Sequence, residues 1–126
     1  MEKIAYKNNL IALRLKKIKN GVMSFTEPSE PIQLVTHKRS LGEYTKAHLH
    51  SPKKRTTNKL QECLVLIKGK IKIDLYNSEK KYFKSIFISA GEAVIFVSGG
   101  HGVHILEDSE IIEIKNGPFI EDKVLI

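Results

Sequence analysis

The sequence predicts an all-β protein, an antiparallel β-sandwich or jelly-roll barrel with little helix. One observation is the spacing of turn residues: about eight or nine short apolar runs are separated by Gly, Asn, Asp, Ser and Pro residues. The other is the alternation of apolar and polar residues inside several of these runs, which is typical of half-buried strands. Many short strands at this spacing favour a sandwich or barrel over a helical or doubly wound fold.

The N-terminal half begins with a segment whose pattern fits two kinds of structure. Residues 1–21 fit one or two helical turns, or an edge strand, and end at the turn signal Asn20-Gly21. After them, the alternation and the turn residues predict strands over 22–26, 32–40 and 45–50.

The C-terminal half contains the clearer strands. Residues 62–77 predict two strands around Lys68-Gly69-Lys70, and the second of them alternates. Its apolar face would hold Ile71, Ile73 and Leu75, and its polar face Lys72, Asp74 and Tyr76. Further strands are predicted over 82–89, 92–100, 101–106 and 110–117. A barrel of such strands encloses a small interior, where an inward polar side chain needs a partner or a function.

Length and composition predict one domain over residues 1–126, with a core at about 22–117 and residues 1–21 as an edge or exchanged strand. The single cysteine, Cys63, excludes an intramolecular disulfide and favours a reducing compartment. The chain begins with no long apolar segment and has no apolar run of about 18 residues, so we expect a cytoplasmic protein that does not enter a membrane.

The net charge of +7 favours anionic partners. Much of the excess lies in two basic runs, at 14–19 and 53–59. Such runs are most often solvated surface, and neither contains an aromatic residue or a recognition helix. A nucleic-acid partner is therefore disfavoured, and a small anionic molecule is the preferred partner.

Four of the five histidines form two close pairs, His48/His50 and His101/His104. On a strand, residues i and i+2 share a face, so His48 and His50 could converge on one ion. Glu62 begins an apolar strand, where a carboxylate is either at the solvent edge or paired. Two histidines and a carboxylate are ligands that hold divalent transition metals with open positions.

The fourth ligand would come from "SGGHGVH". His101 and His104 have opposite parity on a regular strand, and the apolar Val103 and Ile105 share the parity of His101. We therefore prefer His101 as the ligand. His104 is the alternative, because the neighbouring glycines allow a bulge.

Two stretches of the chain resemble the cupin superfamily. Residues 42–69 have the pattern G-x5-H-x-H-x11-E-x6-G, which is similar to the first cupin motif except for a longer gap before Glu62. The stretch "GEAVIFVSGGHGVH" from Gly91 resembles the second motif, with Val97 in place of its proline and His101 one residue early. The resemblance implies a small jelly-roll barrel, a homodimer, and a divalent transition metal (Fe, Mn, Ni or Zn) held by His48, His50, Glu62 and His101.

The polar residues around this site have two interpretations. In "EIIEIKNG", Glu113 and Lys115 share one face and Ile112 and Ile114 the other. We expect the polar face to be the outer one, with a weak ion pair; turned inward, Glu113 and Lys115 would be candidate acid–base residues. Further residues could line the mouth of the barrel and bind substrate: Arg39, Tyr44, Lys53, Lys54 and Arg55.

The preferred functional hypothesis is a metal-binding cupin that acts on a small anionic metabolite, such as a sugar nucleotide or sugar phosphate, as an isomerase or epimerase. The "EDSEIIEIKNGPF" ending resembles small cupins found among bacterial polysaccharide and nucleotide-sugar genes. The basic 53–59 loop would attract the anionic group. The alternatives are a non-catalytic metal- or ligand-binding cupin and an iron-dependent dioxygenase.

Overall fold

A computed structural model describes all 126 residues and contains ten β-strands and no helix. Strands make up 46% of the chain, so the all-β prediction is confirmed. None of the regular elements is a membrane-spanning helix. The strands are β1 (Glu2–Tyr6), β2 (Asn9–Leu15), β3 (Gly21–Ser24), β4 (Val35–Lys38), β5 (Glu62–Lys68), β6 (Lys70–Tyr76), β7 (Tyr82–Ser89), β8 (Ala93–Phe96), β9 (Gly100–Ile105) and β10 (Glu110–Lys115).

The strands form two main antiparallel sheets and one small hairpin. The larger sheet has the order β1-β2-β8-β5-β10, and the smaller has the order β7-β6-β9. Strands β3 and β4 pair only with each other. The sheets do not close into a barrel, so the jelly-roll arrangement stays a prediction. Both β9 and β10 are edge strands, and both carry candidate site residues.

The core lies between the two sheets and follows the predicted alternation of β6. Ile71, Ile73 and Leu75 are each 0% exposed and pack in one cluster with Leu64 and Leu66 of β5. Burying one such side chain is worth about 1.5–3 kcal/mol. The hairpin between β5 and β6 turns at Gly69, which has a φ of +90°. A Cβ there would overlap Ser109, so only glycine fits this turn.

The first 15 residues are part of this core. Strands β1 and β2 form a hairpin, and β2 also pairs with β8, so β1 is the edge strand of the larger sheet. Ile4, Ile11 and Ala12 are buried in the same cluster as β6. The core is therefore larger than the 22–117 expected from the sequence, because the alternation in this short segment was too ambiguous to show its buried face.

A second apolar layer covers the outer face of the larger sheet. Leu13, Cys63 and Ile95 are buried there, with Ile32 and Leu34 packed against them. Cys63 thus points away from the Glu62 face, as its parity predicts, and burial raises the pKa of its thiol.

The predicted strand over 45–50 is wrong. Residues 43–61 form no strand, and apart from Gln61 all of them are exposed. This segment contains four Lys and three Thr residues and lacks a run of apolar residues that would favour burial. Its C-terminal end is fixed where Gln61 enters β5, by hydrogen bonds described below.

Candidate functional site

Four polar side chains form a cluster on the inner side of the sandwich, where β5, β9 and β10 meet. They are Glu62, His101, Glu113 and Lys115. In the larger sheet Glu62 pairs with both Lys115 and Phe96 across neighbouring strands, so these side chains share a face. Residues directly opposite each other in an antiparallel pair lie on the same side of the sheet. His101 reaches the cluster from β9 of the smaller sheet.

His101 is held by two contacts. Its Nε2 lies 3.0 Å from Oε2 of Glu62. Its ring stacks on Phe96, with centroids 3.7 Å apart and an interplanar angle of 3°. In β9 His101 pairs with the buried Leu75, so it lies on the inner face, as the sequence alternation predicted. The carboxylate and the ring together fix the position of the imidazole.

Lys115 joins two carboxylates. Its Nζ lies 2.8 Å from Oε1 of Glu62 and 2.7 Å from Oε1 of Glu113. The expectation that Glu113 and Lys115 lie on the outer face is wrong. The register of β10 places them beside Leu64 and Glu62, and it turns Ile112 and Ile114 outward. The sequence could not decide this, because both faces of the larger sheet are partly apolar and periodicity alone does not tell inner from outer.

The ionisation of the cluster follows from burial and from these contacts. Burial lowers the pKa of His101, and the neighbouring Glu62 carboxylate opposes that shift only in part. Hydrogen bonds that its ammonium donates to Glu113 and then to Glu62 raise the pKa of Lys115. Near neutral pH the cluster therefore contains a neutral imidazole and a firmly charged ammonium. With both carboxylates ionised, its net charge is about −1.

His48 and His50 lie in the exposed 43–61 segment and close to each other. Their rings are 5.1 Å apart, in an edge-to-face arrangement. Nδ1 of His48 donates to the carbonyl oxygen of Lys46 at 2.8 Å. No group of three or more His, Cys, Asp or Glu side chains with the arrangement of a metal site is present. The structure thus brings together Glu62 and His101, and separately His48 and His50.

The four predicted ligands do not fit a metal ion in this arrangement. A ligand carboxylate must direct an oxygen at the ion, and both oxygens of Glu62 already contact protein donors, His101 and Lys115. His101 also directs its Nε2 at Glu62 and not at a common point with the other histidines. Metal ligation by His48, His50, Glu62 and His101 stays a prediction that the arrangement of these side chains does not support.

His104, the alternative fourth ligand, lies on the opposite face of β9. Its Nε2 is 2.6 Å from Oδ2 of Asp74, whose other oxygen accepts a hydrogen bond from Ser85. The hydrogen bond from Ser85 is the main cause that lowers the pKa of Asp74. This polar network belongs to the outer face of the smaller sheet and does not reach Glu62.

The predicted substrate-binding residues are exposed and lie in the irregular region. Arg39 pairs with Glu43, with Nε and Oε2 3.0 Å apart, and the Tyr44 hydroxyl accepts a hydrogen bond from Ala47 N. Arg55 donates to the carbonyl oxygen of Lys53 at 3.2 Å, and Lys54 is exposed beside them. These side chains are accessible to an anion.

Sequence reasoning missed three residues that position the cluster. Phe96 supports the His101 ring, and its place opposite Glu62 depends on the pairing of β5 with β8. Asn116 accepts a hydrogen bond from Gln61 N at 2.8 Å and donates to the carbonyl oxygen of Lys59 at 2.9 Å. Asn116 follows Lys115 and Gln61 precedes Glu62, so these hydrogen bonds connect the ends of the two strands that carry the site. Only the turn signal Asn116-Gly117 was visible in the sequence.

Two surface grooves lie away from the cluster. One, of about 460 Å³, includes Arg39 and Lys38 beside β3. The other, of about 440 Å³, is lined by residues such as Tyr6, Asn77 and Lys59. Neither includes His101 or Glu62.

Comparison with protein-family models, with curated proteins and with solved structures finds no match to this chain.

Proposed function

We propose that this protein is an acid–base enzyme, an isomerase or epimerase of a small anionic metabolite, with His101 as its general base. The observation that carries the proposal is the His101–Glu62 contact of 3.0 Å together with the stacking of the imidazole on Phe96. A carboxylate that accepts from one imidazole nitrogen fixes the tautomer and leaves the other nitrogen as a proton acceptor. In His101 that acceptor is Nδ1.

The reaction class follows from the neighbouring ammonium. His101 Nδ1 would take a proton from a carbon next to a carbonyl group, and the electron pair of that C–H bond would move onto the carbonyl oxygen. Lys115 can donate a hydrogen bond to that oxygen and stabilise its negative charge. Return of the proton to the other side of the carbon gives an epimer. Return to the former carbonyl carbon, together with transfer of the hydroxyl proton of the first carbon to the former carbonyl oxygen, gives an isomer. No redox partner is needed.

The charges of the cluster and of the 43–61 segment indicate a substrate with two parts. The cluster carries a net charge of about −1 when both carboxylates are ionised, so it does not attract a phosphate. The 43–61 segment carries the exposed Lys53, Lys54 and Arg55, and its end at Lys59 is tied by Asn116 to the strand that holds Lys115. A sugar nucleotide or sugar phosphate fits this division, with the sugar carbonyl at His101 and the phosphate on the basic segment.

Isotope exchange tests the proposal. The purified protein is incubated in D2O with a panel of carbonyl-bearing sugar nucleotides and sugar phosphates, and proton NMR follows the loss of the C–H signal next to the carbonyl. We expect exchange with at least one compound and its loss, by about a hundredfold or more, in His101→Asn. His104→Asn is the matched control, because it removes the other histidine of β9 from the outer face and should leave exchange unchanged.

The pH dependence adds a second readout. Because the pKa of His101 is lowered from 6.5, the base form persists at neutral pH, and the exchange rate should fall only as the pH drops below 6.5. Exchange that survives in His101→Asn contradicts the assignment of the base. Binding of a panel compound without exchange would instead support the non-catalytic ligand-binding module.

The cytoplasmic location and the homodimer stay predictions. Cys63 is a buried free thiol, which supports a reducing compartment. Light scattering of the purified chain measures the oligomeric state.

A further inference from the structure

We infer that Lys115 is the built-in cation of this site, and that its ammonium competes with a divalent metal for Glu62 and Glu113. The inference concerns the same residues as the proposed function but does not rest on turnover. It is drawn from the positions of the atoms around Lys115, which stands where the carboxylates of the cluster would otherwise meet a metal ion.

The contacts of Lys115 support this role. Its Nζ lies 2.8 Å from Glu62 and 2.7 Å from Glu113, which are the distances of charge-assisted hydrogen bonds. Both carboxylates are thereby satisfied by one ammonium. A metal ion bound to the same oxygens would have to displace that ammonium, or lie beside a positive charge only a few ångströms away, where Coulomb repulsion is strong.

Removal of Lys115 would free the oxygens that Glu62 and Glu113 direct at its ammonium. Carboxylates are ligands of divalent metals, and the imidazole of His101, which contacts the other oxygen of Glu62, would have to turn to become a further ligand. Without the ammonium, and with both carboxylates ionised, the cluster would carry a net charge of about −2 in a partly buried position. A divalent cation compensates that charge. Removal of this one cation should therefore raise the affinity of the cluster for a divalent metal.

Titration with Co²⁺ alone tests the inference, because its visible absorption reports coordination by nitrogen and oxygen ligands. We expect Lys115→Met to bind one Co²⁺ per chain at least about tenfold more tightly than the unaltered protein. Lys115→Arg keeps a cation and should bind as weakly as the unaltered protein. Lys84→Met is the matched control: it removes the same charge from an exposed position of β7 and should leave the affinity unchanged.

A second substitution shows where the ion binds. Adding Glu62→Gln to Lys115→Met should cancel the gain in Co²⁺ affinity, while far-UV circular dichroism shows whether each variant is folded. If Lys115→Met fails to fold, the Lys115→Ala variant takes its place in the titration.

Three results would overturn the inference. One is equal Co²⁺ affinity in the unaltered protein and in the folded variant that lacks the Lys115 cation. Another is a gain in affinity that persists after Glu62→Gln. The third is tight binding by the unaltered protein that His48→Ala abolishes, which would favour the ligand set predicted from the sequence. The titration contains no substrate, so its outcome is independent of the isotope-exchange test of His101.

Discussion

Asn116 ties together the two strands that carry the candidate site, and Asn116→Ala should lower the free energy of unfolding by about 2–3 kcal/mol. The substitution removes Oδ1 of Asn116, which accepts a hydrogen bond from Gln61 N at 2.8 Å. Gln61 is only 1% exposed, so water cannot replace this acceptor. A buried donor left without a partner costs about 1–3 kcal/mol. The second lost bond, to the carbonyl oxygen of the exposed Lys59, costs at most about 1 kcal/mol, because water replaces the donor.

Urea unfolding followed by far-UV circular dichroism measures this loss. With a slope of about 1.5 kcal/mol per molar urea, the midpoint should fall by about 1.3–2 M at an unchanged slope. Asn116→Asp is the matched control. It keeps an oxygen that can accept from Gln61 N and loses only the donor to Lys59, so its cost should stay below about 1 kcal/mol. The reasoning is refuted if the two variants are equally destabilised, or if Asn116→Ala shifts the midpoint by less than about 0.3 M.

Three further predictions concern the core, the outer network and the basic segment. Ile73→Ala should cost about 2–5 kcal/mol in urea unfolding, because Ile73 is 0% exposed, and a cost under about 1 kcal/mol would contradict its place in the core. The pKa of Asp74 is lowered from 3.8, so its contribution to stability is full above that pH and is lost as the pH falls through the lowered pKa. The difference in unfolding free energy between the unaltered protein and Asp74→Asn should therefore shrink below pH 3.8, and a constant difference would contradict the assignment. Neutralising Lys53, Lys54 and Arg55 should abolish any salt-sensitive thermal shift caused by pyrophosphate. The melting temperature without ligand should stay unchanged. A pyrophosphate shift that persists would exclude these residues as the anion site.

The strands that the sequence predicted best are those whose local pattern decides their structure. In β6 the alternation of Ile71, Ile73 and Leu75 with polar residues has one consistent solution, a half-buried strand, and all three side chains are fully buried. The parity argument for His101 worked for the same reason, because Val103 and Ile105 share its face.

The expectation for 45–50 failed because the alternation behind it is too short and too weakly apolar to specify a strand. The segment "TKAHLH" contains only Ala47 and Leu49 as apolar residues, and Leu49 is 83% exposed. A strand needs neighbours that complete its hydrogen bonds and a face that it can bury. This segment offers too little apolar surface to specify either.

The sequence by itself determined that the chain is an antiparallel β protein, which strands bury one face, and that Glu62 and His101 are polar residues on buried faces. Only the tertiary structure decided what these residues meet. The pairing of β10 with β5 turned Glu113 and Lys115 inward and brought Lys115 to Glu62 across 53 residues of chain. Local periodicity sets the two faces of a strand, but which face is the inner one depends on the partner strand and on the sheet packed opposite, and neither is encoded within the strand itself.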